Sequence, residues 1–72
     1  MNNPQKVYAY LKGHPKLLIC DDCVEKGTGV NRHQVNTITS TLALFPDEFR
    51  RVSALCSQHC SDREKESTAA LH

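Results

Sequence analysis

The sequence contains no tryptophan and only two phenylalanines. With so few bulky anchors, a chain of 72 residues assembles only a thin core, and domains this small bury about 60% of their unfolded surface. No purely apolar run is longer than Leu17 to Cys20, which argues against a membrane span of about 20 residues. The opening stretch MNNPQKVYAY has neither an apolar run nor a small-residue cleavage motif, so the expectation is a cytoplasmic chain without a signal peptide. Charge of one sign is also scarce. The formal net charge is +1, short of the basic balance usual in nucleic-acid-binding domains. There is no glycine-rich phosphate loop, no nucleophile–base pair and no separated pair of carboxylates with a sequence signature. The adjacent Asp21 and Asp22 read as a helix start, and His14 beside Pro15 as a surface turn, so the expectation is not an enzyme. No internal repeat is visible.

What the chain does have is cysteine. Cys20 and Cys23 form a C-x2-C pair, and Cys56 and Cys60 form a C-x3-C pair, with 32 residues between them. In a reduced compartment, two short-spaced pairs point to a metal rather than to disulfides. Thiolate-rich tetrahedral sites select zinc, so one structural Zn²⁺ held by Cys20, Cys23, Cys56 and Cys60 is the expected cofactor. His59 has x2 spacing from Cys56, which leaves a set of three cysteines and His59 open. An iron–sulfur cluster also uses four thiolates, but two well-separated pairs fit zinc better. A closed four-ligand site has no position for substrate. Its binding free energy, on the order of 10–16 kcal/mol in small zinc peptides, becomes folding free energy.

The expected fold class is a small α+β zinc-stabilised domain. A short β-sheet carries the four-cysteine knuckle, beside a helix-turn-helix-like helix pair. One domain spans residues 6–60, with flexible tails at 1–5 and 61–72. Tyr8, Tyr10 and Val7 favour a strand over 6–12, and a Gly13-His14-Pro15 turn follows. Residues 16–20 lead into the first knuckle. A short helix over 21–27 is capped by Asp21 or Asp22 and ended by Gly27. Asn31 caps the longest helix, 32–44, whose inward stripe is Val35, Ile38 and Leu42; Pro46 stops it. Over 49–56 periodicity slightly favours helix over strand. The apolar core draws on Val7, Leu11, Leu17, Ile19, Val24, Val30, Val35, Ile38, Leu42, Phe45, Phe49, Val52 and Leu55.

With the stripe inward, the longest helix presents His33, Asn36, Thr37 and Ser40, edged by Arg32 and Thr41. All of these side chains hydrogen-bond and none is acidic, which suits the major groove. Taken alone, a polar solvated face explains them better. A short helix, a glycine turn and a longer helix are in helix-turn-helix order, and Arg50 and Arg51 follow, placed for phosphate contacts.

The run 19-ICDDC-23, then 33-HQVN-36, then 49-FRR-51 leading to 56-CSQHC-60, resembles a group of small bacterial proteins. In these a helix-turn-helix or winged-helix unit sits between the halves of a zinc knuckle. The resemblance implies that 49–56 is a strand, and His59 departs from the group's usual C-x2-C second knuckle. The helix order, the hydrogen-bonding face of the longest helix and Arg50 and Arg51 place the expected function at a zinc-stabilised nucleic-acid-binding module, a small transcriptional regulator. The candidate contacts are Arg32, His33, Asn36, Thr37, Ser40, Arg50 and Arg51, and the partner is duplex DNA. Tight binding calls for a homodimer reading two half-sites. The alternative is a zinc-stapled adaptor or inhibitor that binds a protein partner. No membrane contact is expected.

Overall fold

Residues 3–12 form a helix where the sequence pattern suggests a strand. A computed structural model describes residues 2–58 and 63–72. Its elements are α1 (Asn3–Lys12), β1 (Ile19–Cys20), α2 (Asp21–Thr28), α3 (Arg32–Leu42), β2 (Phe49–Ala54) and β3 (Lys65–Ala70). In α1, local capping overrides the strand preference of its valine and tyrosines. Asn2 accepts from the Gln5 amide at 2.9 Å, and the Gln5 side chain accepts from the Asn2 amide at 3.2 Å. This reciprocal cap satisfies two amides that a helix start leaves orphaned. Val7 and Leu11, one turn apart, are fully buried.

The second helix begins one residue earlier than expected. Cys20 is its N-cap, and Asp21 and Asp22 lie in the first turn, where the helix dipole favours negative charge. It ends at Gly29 rather than Gly27. The φ of Gly29, 75°, is left-handed, and its amide donates to Glu25 at 2.8 Å. Gly27 instead makes room: a Cβ there would collide with the Tyr10 ring, so the missing side chain lets α1 pack on α2.

Asn31 caps α3 as expected, its side chain accepting from the His33 amide at 2.8 Å. The hydroxyls of Thr37, Thr39 and Thr41 donate to the carbonyls of His33, Val35 and Thr37 at 3.2, 2.8 and 2.9 Å. Threonines at two-residue intervals are thereby absorbed into the helix. Val35 and Thr39 are buried, with Ile38 and Leu42 packed at the core edge. The helix stops at Leu42, short of the expected Leu44.

Two corrections concern the sheet. Residues 49–54 are a strand, against their helical periodicity and in line with the resemblance. Residues 65–70, expected to be part of a flexible tail, are the central strand of an antiparallel sheet ordered β1-β3-β2. Ile19 pairs with Thr68 on one side, and Phe49 with Ala70 on the other. Residues 2–5, also expected to be a tail, belong to the cap and first turn of α1. The elements therefore run from Asn3 to Ala70 rather than over 6–60.

Phe49, Leu11, Ile19, Val7, Val24 and Val35 form the centre of the core. Leu17, Phe45 and Leu55, expected inside, are exposed. Small residues of β3 (Ser67, Thr68, Ala69 and Ala70) are buried in their place. Among the described residues, no helix is long and apolar enough to cross a membrane.

Candidate metal centre

Three of the four expected ligands come together. Cys20 and Cys23 sit at the N-cap and in the first turn of α2, and Cys56 follows the end of β2. All three are buried. Their sulfurs lie within 4.8 Å of one another, and those of Cys23 and Cys56 are 3.7 Å apart. That separation is far beyond the ~2.05 Å of a disulfide. It matches the roughly 3.8 Å between two ligands of one tetrahedral zinc with Zn–S near 2.3 Å. Cys60 and the alternative ligand His59 lie outside the described residues.

The backbone builds this corner. Leu18 and Ser57 are joined by two bonds: the Ser57 amide donates to the Leu18 carbonyl at 2.7 Å, and the Leu18 amide donates to the Ser57 hydroxyl at 3.1 Å. The Cys20 amide donates to the Cys56 sulfur at 3.4 Å. Burial pushes the Cys56 thiol up, but the Cys20 and Gln58 amides and the thiols of Cys20 and Cys23 outweigh it, bringing the group down to about 7. A sulfur that carries charge readily near neutral pH is what a metal ligand requires. The three cysteines thus fit a metal ion in distance and burial, and Cys56 in ionisation as well.

Beside the cysteines lie two ion-pair clusters, one on each of the adjacent aspartates. Asp21 faces inward. Arg51 grips it with both terminal nitrogens, at 2.9 and 3.0 Å, and the two side chains are only 10% and 8% exposed. Arg51 also donates to Thr68 at 3.0 Å, and the Asn36 amide donates to Asp21 at 3.3 Å. One carboxylate therefore ties α2, α3, β2 and β3 together. Every buried side-chain nitrogen and oxygen among the described residues has a partner. Asp22 faces outward, with Lys65 at 2.7 Å from one oxygen and Arg32 at 3.1 Å from the other. The Lys65 hydrogen bond holds the Asp22 carboxyl below its ordinary value, with Arg32 and Lys26 adding attraction against the effect of burial.

The expected nucleic-acid contacts divide accordingly. Arg51 is committed to the interior, and the Asn36 side chain donates to Asp21 although the residue itself is exposed. Arg32, His33, Thr37, Ser40 and Arg50 are exposed. Arg32 to Ser40 lie along α3, and Arg50 lies on β2. Sequence reasoning misses the inward ion pair because it names charges without their partners; nothing in 49-FRR-51 marks the second arginine for burial. Comparison with known proteins finds no matching family, no similar curated protein and no similar solved structure.

Proposed function

We propose that this chain is a zinc-stabilised module that binds duplex DNA through α3. One Zn²⁺ is held by Cys20, Cys23 and Cys56, with Cys60 as the fourth ligand. The observation that carries the DNA reading is the exposed face of α3. His33, Thr37 and Ser40 follow Arg32 without an acidic residue among them, and the helix is presented by α2 and the tight turn at Gly29. The element order α1-β1-α2-α3-β2-β3, with sheet order β1-β3-β2, agrees with the winged arrangement that the sequence resemblance implies. In that arrangement the second helix of the pair enters the major groove. Arg50, exposed on β2, supplies a phosphate contact.

A net charge near zero makes monomer binding weak, with non-specific Kd on the order of 10⁻⁴ to 10⁻⁶ M at physiological salt. Titrating duplex DNA at low salt should shift the amide resonances of residues 31–41. If none moves at millimolar DNA, this reading fails. A protein-binding module is the second reading. It is favoured by two shallow apolar clefts that share Pro4, one beside Ile38 and one beside Tyr8, Ala9 and Leu42, with Leu44 and Phe45 exposed nearby in sequence.

A further inference from the structure

Asp22 stands where two cations converge. Its oxygens are divided between them: one lies 3.1 Å from the Arg32 Nε, the other 2.7 Å from the Lys65 Nζ. Arg32 opens α3, and Lys65 opens β3. Their side chains flank a polar cleft that also includes Asp21, Asn36 and Glu66. The cluster is at the surface, with Arg32 66% and Asp22 29% exposed, so an incoming anion reaches it without unfolding anything. Asp21, the next residue in the chain, already provides the buried tie that the fold uses. The pairs made by Asp22, being solvated, are worth little to stability, typically about 0.2–1 kcal/mol each.

We infer that Asp22 is an internal phosphate mimic: it occupies the anion position between Arg32 and Lys65 and thereby holds down the affinity of this chain for DNA. The inference rests on the DNA reading proposed above. A backbone phosphate, like the carboxylate, offers two oxygens and one negative charge, and both cations already point at such a group. DNA must therefore displace Asp22 to use them. Neutralising the carboxylate releases Arg32 to the phosphates and removes a negative charge from beside Lys65, and each phosphate neutralised steepens the dependence of log K on log salt by about 0.9.

The experiment compares the zinc-loaded wild type, Asp22→Asn and Asp47→Asn, titrated with a random-sequence duplex between about 50 and 200 mM salt, a range over which such contacts weaken strongly. Asp47 is exposed and lies in the turn before β2, so its variant changes net charge equally without touching the cluster. Asp22→Asn should tighten binding several-fold more than Asp47→Asn and steepen the salt slope by about 1. Asp22→Ser, which suits a first helical turn equally, should do the same. Arg32→Gln in the Asp22→Asn background should remove much of the gain. If the wild type binds and the two asparagine variants change alike, or Asp22→Asn binds no better, the mimicry is wrong while the DNA reading survives. If none of the proteins binds at millimolar DNA, both fall.

Discussion

The first turn of α2 and the face shared by α1 with the end of α3 are built on opposite lines. Around α2, three thiols, a two-pronged ion pair and a shared aspartate link four elements through directional contacts. Along α1 and α3, contact is mostly apolar and incomplete. Tyr8 meets Phe49 edge-on with ring centres 5.7 Å apart, yet Tyr8 is 41% exposed, Phe45 56% and Leu44 75%. A chain with a thin core thus places its directional contacts at one end and leaves the apolar side partly uncovered.

Removing the metal should erase this contrast most completely. Cys23→Ser, or a chelator added to the wild type, deprives the fold of a term on the order of 10 kcal/mol. The expected outcome is collapse of amide NMR dispersion; a well-dispersed spectrum without metal would refute the staple. Next comes the ion pair. Arg51→Ala leaves Asp21 buried and unpaired and should cost about 3–5 kcal/mol in urea unfolding at fixed zinc. Replacing both partners together (Arg51→Met with Asp21→Leu) should recover most of that loss, because apolar replacements spare the cost of burying charge.

Gly27→Ala should cost less, about 1–3 kcal/mol, since the Tyr10 ring must give way. In a double-mutant cycle with Tyr10→Ala the loss should shrink; equal losses in both backgrounds would place the strain elsewhere. On the apolar side, Phe45→Ser should change stability by no more than about 0.5 kcal/mol. A large loss there would mean that this side supports the fold after all.

Much of the α2–α3 unit is legible in the sequence because its signals are local. Asn31 precedes a helical stripe, Gly29 follows α2, and cysteine spacing announces a ligand pair. The first helix is misread when the strand preferences of Val7, Tyr8 and Tyr10 are weighed without Asn2 and Gln5, the two residues that form the cap. β3 is illegible for a different reason. Lys65-Glu66-Ser67-Thr68-Ala69-Ala70 has almost none of the β-branched and aromatic residues that mark strands, and its small side chains make sense only between two neighbours. The inward turn of Arg51 depends on the same unmarked strand, because Thr68 and Glu66 help to seat its guanidinium.

The placement of β3 between β1 and β2 governs how the chain can assemble. The outer strands do not pair with each other, so no two-stranded sheet is available as a stepping stone before residues 65–70 arrive. Joining Ile19 to Thr68 closes a long loop, and such closures slow folding because their entropy is lost before contacts reward it. A metal that gathers Cys20 from one outer strand and Cys56 from just past the other would hold a slot open at the right width. With such a metal, late insertion of a nearly featureless segment would become a docking step, and metal supply would control folding rate as well as final stability.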